Sequence, residues 1–150
     1  MTRLRRLSGI IAIEEKAGRT AAKPSTITDT VIDPDRQIVV AVAEGTIVGW
    51  AKTHLWDYSD DQAIAGHYLG GVTVLPRWRR RGIAAVLTEA RLAWIAERAS
   101  DAWYVVNAGN TASIELHRRW DFSEVARGPR IHTTTFEGGI GVLMHARFAE

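Results

Sequence analysis

Four arginines, Arg77, Arg79, Arg80 and Arg81, stand directly ahead of Gly82 in the run LPRWRRRGIAAVLTEA, residues 75–90. An apolar helical pattern follows at once, so the stretch reads as a basic loop opening a helix. The first N–H groups of a helix have no intrahelical partner and lie at the positive end of its dipole. Gly82 allows a ligand close to the backbone, and Ala84 and Ala85 keep the first turn uncluttered. Arg79, Arg80 and Arg81 add charge where anionic oxygens would sit. The chemistry on offer is anion capture, with phosphate the best fit. A nucleic-acid patch and a solvated basic face compete with it. The GxGxxG and GK[ST] phosphate fingerprints are both absent.

The elements that must carry this loop are legible around it. HYLGGVTVLP, from His67 to Leu75, reads as the strand entering the loop. Its Gly70-Gly71 pair signals a bulge, or close approach by another backbone or a ligand. Ile83, Val86, Leu87, Ala90, Trp94 and Ile95 form one stripe of a helix from about Gly82 to Arg98. AWYVVNA reads as a buried strand, and a helix follows Asn110 with Ile114, Leu116 and Trp120 on its apolar side. Upstream, Ile38 to Ala43 and Ile47 to Leu55 flank Glu44-Gly45 as a hairpin. FSEVARG and GGIGVLMHARF make two closing strands. Leu4, Leu7, Ile10, Ile11 and Ile13 fit a helix face over Leu4 to Ala17. A helical turn is expected near Thr28 to Ile32, stopped by Pro34. The order indicates a mixed α/β (α+β) sheet flanked by helices, in a single domain over residues 1–150.

Composition narrows the function classes. The chain has 150 residues, 46% hydrophobic and 24% charged, with formal net charge +2 and no cysteine. That excludes disulfides, thiolate nucleophiles and Cys-ligated zinc. The five histidines form no HExxH or close pair, so no metal is expected. A pI near 9.3 would suit a nucleic-acid binder only with its charge gathered on one face. Here the arginines gather in one loop with few aromatics between them, so no nucleic-acid partner is expected. No apolar run approaches a membrane span, and the basic start lacks a cleavage site. Cytoplasmic residence is the expectation.

RRRGIA is an instance of the pattern R/Q-x-x-G-x-G/A, and here the sequence resembles the GNAT superfamily of acetyl-CoA-dependent N-acetyltransferases. NTASIELHRRWDF, from Asn110 to Phe122, is similar to the family's second block, N-x-x-A/S-x-x-L-Y-x-x-x-G-F. Asn110, Ser113, Leu116 and Phe122 fall in register; His117 stands where Tyr is usual and Asp121 where Gly is usual. The two blocks cover Leu69 to Phe122. The resemblance implies a central twisted mixed sheet of about six or seven strands with about four helices, splayed between strands 67–75 and 102–107.

It also implies roles. Acetyl-CoA is the expected cofactor, its pyrophosphate on the loop Arg79, Arg80, Arg81, Gly82, Ile83, Ala84 and Ala85. Its pantetheine would lie along Val72, Thr73 and Val74, with Asn110 and Ser113 contacting it from the second helix. An amine attacks the thioester directly, so the lack of cysteine is no obstacle. His117 would protonate the departing thiolate, or it is a surface residue beside Arg118 and Arg119 and the role falls to Tyr104 or water; His67 or Tyr68 would serve as the base, with delivery of a neutral amine equally open. Asp57, Asp60 and Asp61 form an acidic loop suited to a small polycation such as an aminoglycoside or polyamine, or they are a solvated turn. The expected acceptor is a small-molecule primary amine. A protein N-terminus or lysine, and a non-catalytic acyl-CoA-binding module, are the rivals, and a homodimer is left open.

Overall fold

The computed structural model describes residues 3–7, 10–15, 36–43, 45–60, 62–132, 134–136 and 139–149. Their contacts gather into two compact units, 1–54 with 70–94 and 55–69 with 95–150. Both units draw on strands β4 (Thr46–Trp56) and β5 (Gly66–Val74).

The strand order in the first unit is β1 (Arg3–Leu7), β2 (Ile10–Glu15), β3 (Ile38–Ala43), β4, β5. β1 and β2 pair antiparallel, from Leu7↔Ile10 to Arg3↔Glu14, and β2 runs parallel to β3. The helix expected over Leu4 to Ala17 is therefore two strands. A short apolar run rich in β-branched Ile10, Ile11 and Ile13 satisfies either period, and pairing with β3 decides it. The turn expected near Thr28 to Ile32 lies outside the described residues.

The β3–β4 hairpin stands as expected, with Gly45 at φ 82 in the turn. Every residue of β3 is buried, as a strand covered on both faces must be. Val39, Ala41 and Ala43 pack with Val48, Val74, Trp78, Ile83, Leu87 and Ala90. Ile38, Val40 and Val42 pack with Ile47 and Trp50. The helical contacts on the first cluster come from α1 (Ile83–Ala96), which spaces Ile83, Leu87 and Ala90 onto one face.

The second unit orders its strands β5, β6 (Asp101–Asn107), β10 (Gly141–Arg147), β7 (Ser123–Gly128). β10 is antiparallel to both neighbours, with a register shift at Leu143/Met144 against β7. A short ribbon of β8 (Arg130–Ile131) and β9 (Thr134–Thr135) was not foreseen, because two-residue strands carry no period. Ala63, Tyr68, Trp103, Ile131 and Leu143 form this unit's core. α2 (Thr111–His117) follows Asn110 and continues as a 3-10 turn, Arg118–Trp120.

The mixed α/β fold is as expected, with parallel β2/β3 and β5/β6 pairs among antiparallel ones. The described residues hold two α-helices and two 3-10 turns, fewer than the four helices foreseen. β5 and β6 pair at only two positions, Tyr68↔Trp103 and Leu69↔Tyr104.

At Gly70 the signal read from Gly70-Gly71 resolves as close approach by another backbone. A Cβ there would lie 2.9 Å from the Lys52 Cγ and 3.0 Å from its carbonyl oxygen, whereas one at Gly71 meets nothing within 4 Å. Gly70→Ala should therefore destabilise the protein by about 1–3 kcal/mol, as overpacking does. Gly71→Ala should leave stability within about 0.5 kcal/mol of wild type. Urea unfolding of the two variants checks the contrast.

Candidate functional site

The basic loop is built from β5 onward within the first unit. Leu75 N–H donates to the Val48 carbonyl at 2.9 Å, anchoring the strand's end to β4. Pro76–Trp78 makes one 3-10 turn, and Trp78 is buried in the core. Two departures from ordinary backbone follow on either side of Arg81, Arg80 at φ 62 and Gly82 at φ 80. Gly82 takes that conformation without strain, whereas a non-glycine residue there costs about 1–3 kcal/mol. The turns bring the chain into α1 with Gly82 open, since nothing lies within 4 Å of a Cβ placed on it. Gly82 carbonyl accepts the first helical bond, from Val86 N–H at 3.1 Å. The N–H groups ahead of Val86 are the ones a helix leaves without internal partners.

The arginines divide by role. Arg79 Nε donates to the Val74 carbonyl at 3.1 Å, folding back on β5. The Arg81 guanidinium lies 4.8 Å over the Trp78 ring, a cation–π contact that fixes its direction. Arg80 is exposed, and no hydrogen bond or ion pair among the described residues engages it. An open glycine, unpaired helical N–H groups and flanking guanidinium charge fit a pyrophosphate. Val72 is half-buried, Thr73 exposed and Val74 buried, while Ile83 sits in the core and Ala84 and Ala85 are half-buried. The predicted cofactor residues from Val72 to Ala85 are thus brought together on one strand-loop-helix unit.

The second unit holds the other predicted residues. Asn110 caps α2, its Oδ1 accepting from Ser113 N–H at 3.2 Å. His117 is 5% exposed, which overturns the surface placement that its Arg118-Arg119 neighbours suggest. Its ring stacks on Tyr104 at 4.0 Å and meets Phe122 edge-on at 5.7 Å. Nδ1 donates to the Ser113 carbonyl at 2.7 Å, so the neutral ring carries its hydrogen there and its lone pair on Nε2. Asp121 adopts φ 61, which explains the glycine usual at that place in the motif: the helix exits through a left-handed residue, and Asp tolerates it better than most.

Tyr104, the fallback donor to the thiolate, lies on β6 against the His117 ring. Its buried hydroxyl has no hydrogen-bond partner among the described residues, and burial pushes its pKa up to about 12. Tyr68 donates its hydroxyl to the Ile64 carbonyl at 2.6 Å, with His132 Nε2 at 3.4 Å. Burial first, and the Asp101 charge second, hold its pKa above the usual range. Tyr68 is thus a protonated donor at neutral pH. His67 is half-buried.

In the acidic loop one carboxylate is already paired. Asp57 is exposed. Asp60 accepts from Arg130 at 3.1 Å and pairs with Ala63 in a bridge. Asp61 lies outside the described residues. Arg130 also donates to the His132 carbonyl, and His132 sits buried against Trp56 at 3.8 Å and Tyr58 at 5.5 Å. His132 and Arg130 escaped the sequence reading because their part in this wall depends on a left-handed turn, φ 51 at His132.

Solved structures share this fold. The chain resembles in structure the ribosomal-protein-S18-alanine N-acetyltransferase of Escherichia coli, at TM-score 0.65 and 18% identity over 86% of this chain and 79% of that one. It resembles the ribosomal-protein-alanine N-acetyltransferase of Brucella melitensis at TM-score 0.61 and 25% identity, over 74% and 68%. Naa50 of Arabidopsis thaliana, bound to the bisubstrate analogue CoA-Ac-MVNAL, matches at TM-score 0.56 and 17% identity over 69% and 68%. No curated protein matches in sequence. The profile of the Acetyltransferase (GNAT) family matches residues 6–122, spanning the basic loop, the capped helix and the αL exit, and the chain belongs to that family of acetyl-CoA-dependent acetyltransferases.

Proposed function

We propose that this acetyltransferase acts on the α-amino group of a peptide or protein N-terminus. The Asp60–Arg130 ion pair carries the choice of acceptor. A polycation needs unspent carboxylates, and Arg130 already meets the Asp60 charge. The wall beside it is aromatic, with Trp56, Tyr58 and His132 in ring contact, a surface suited to a neutral, partly apolar chain. The Brucella melitensis protein named above, a ribosomal-protein-alanine N-acetyltransferase, lends further support. A small cationic acceptor is the second reading, favoured by exposed Asp57.

The chain's own residues would work as follows. N–H groups from Gly82 to Ala85, with Arg80, hold the pyrophosphate, and backbone groups of Val72 and Val74 hold the pantetheine. Bound acetyl-CoA supplies an acetyl thioester that an amine attacks directly. Asn110 orders the start of α2, and Ser113 fixes the His117 ring through its carbonyl. His117 donates a proton from Nε2 to the leaving thiolate, once that nitrogen has gained one. Tyr104, stacked on it, holds a second proton throughout the neutral range. Tyr68 remains a hydrogen-bond donor, so the amine arrives neutral or sheds its proton to water.

Acetyl-CoA at 100 times its Kd should stabilise the protein by about 2.7 kcal/mol, a Tm rise of about 5–10 °C for a chain of this size. Gly82→Asn, which tolerates the left-handed backbone, should keep most of that rise, and Gly82→Asp should remove it. A full rise in the Asp variant would refute the pyrophosphate assignment.

Steady-state kinetics with acetyl-CoA separates the acceptors. Peptides with a free α-amine should turn over, while spermidine, aminoglycosides and α-acetylated lysine peptides should not. Turnover of spermidine that Asp57→Asn weakens in KM alone would establish the second reading instead.

A thiolate donor acts only as the transition state is approached. His117→Phe should lower kcat by about 10²–10⁴ and leave the acetyl-CoA Kd near wild type, with partial rescue in His117→Tyr. Retained kcat in His117→Phe, together with a loss in Tyr104→Phe, would move the role to Tyr104.

A further inference from the structure

Lys52 is exposed on β4, and its stem lies in the space that a Gly70 side chain would take. A Cβ on Gly70 would stand 2.9 Å from the Lys52 Cγ and 3.5 Å from its Cε. Nζ is one bond beyond that Cε, so the amine ends beside the glycine pair of β5. Gly71 puts no side chain in its way, and a Cβ there would meet nothing within 4 Å. No hydrogen bond or ion pair among the described residues engages the ammonium.

The backbone that carries this lysine is held by Arg91, a charged side chain of α1 with 0% exposure. Its Nη1 donates to the Lys52 carbonyl at 3.1 Å and to the Gly70 carbonyl at 2.9 Å. Nη2 donates to Thr88 Oγ1 at 3.0 Å. A buried charge needs such partners, and here one nitrogen ties Lys52 to Gly70. The lysine is thus mobile only along its stem, above a fixed point of β5.

The candidate cofactor residues give that point its chemistry. Gly82 to Ala85 follow the C-terminal end of β5, so a pantetheine running back along Val74 and Val72 carries its thioester towards Gly71 and Gly70. We propose that Lys52 is an acetylation site of this enzyme on itself, its amine taking the acetyl group from acetyl-CoA bound to the same chain. The inference rests on the reading that acetyl-CoA lies along Val72–Val74. The ammonium gives one proton to water, and the freed lone pair forms a bond to the acetyl carbon. The C–S bond breaks with its electron pair on sulfur, and a second proton passes from nitrogen to that thiolate. The products are an acetylated lysine and free CoA. An amine on a long stem suits this transfer, and holding it beside the thioester replaces a chance encounter with a first-order step.

Peptide mass mapping of the full chain after incubation with excess acetyl-CoA tests it, with the Tm rise as the measure of cofactor binding. Lys52 should approach one acetyl group per chain, at a rate per chain that a roughly tenfold dilution of the protein leaves unchanged. Lys16 and Lys23, the other lysines of the chain, should gain far less. Protein unfolded in urea should show only slow acetylation at all three, and Gly82→Asp should match that background at Lys52. Lys52→Arg should keep the Tm rise and lose the fast acetylation. A Tm rise without acetyl on Lys52 overturns the proposal and leaves the cofactor reading standing. Neither a rise nor acetylation overturns both. Acetylation of Lys52 no faster than in urea reduces it to bulk chemistry, and a rate per chain proportional to protein concentration makes it transfer between copies; either result overturns the proposal. The dilution and urea comparisons need no substitution, so they decide the matter even if Gly82→Asp does not fold.

Discussion

A strand that parts from its neighbour must find other partners for its backbone polar groups, because an unmet buried carbonyl or N–H costs about 1–3 kcal/mol. β5 meets β6 only at Tyr68 and Leu69, and much of the candidate cofactor unit answers that shortfall. The Gly70 carbonyl goes to Arg91 and the Val74 carbonyl to Arg79, while on the other side the Leu75 N–H bonds to Val48 of β4. Two arginines thus spend donors on one strand's main chain.

The same accounting fixes the loop. With Arg79 tied back to Val74 and Arg81 laid on Trp78, the backbone takes left-handed geometry at Arg80 and again at Gly82. That geometry costs energy at Arg80, and burial of Trp78 and Ile83 in the core offsets it. Strain so placed delivers an open Gly82 at the start of a helix. The site's electrostatics come from backbone N–H groups held in place, with side-chain charge as a supplement.

Packing plays the corresponding part in the second unit. His117, Tyr104 and Phe122 form one aromatic contact set, which sets the His117 ring plane. The Ser113 carbonyl sets which nitrogen carries the hydrogen. Asn110 caps the start of the short helix on which that ring sits, and Asp121 closes the 3-10 turn that follows it. Each is a local device, and together they give a seven-residue helix the definition that its length alone would not provide.

The sequence by itself determined whatever depends on near neighbours. The Ile83–Leu87–Ala90 stripe, the Glu44-Gly45 hairpin and the RRRGIA loop are written in period, turn chemistry and charge within a few residues. The two spaced motifs carried the family, and with it the fold. Tertiary structure decided what short windows leave degenerate. Leu4 to Ala17 suits a helix face and a strand equally, and pairing with β3 chose strands. His117 beside two arginines looks exposed, yet Tyr104 on β6 covers it. Asp60 reads as a free carboxylate until Arg130, distant in sequence, arrives 3.1 Å away. Arg91 reads as one more surface arginine, because a guanidinium becomes tolerable in a core only where two strands bring their carbonyls together. Charge, burial and pairing depend on what the rest of the chain places nearby, and that is settled only when the sheet is assembled.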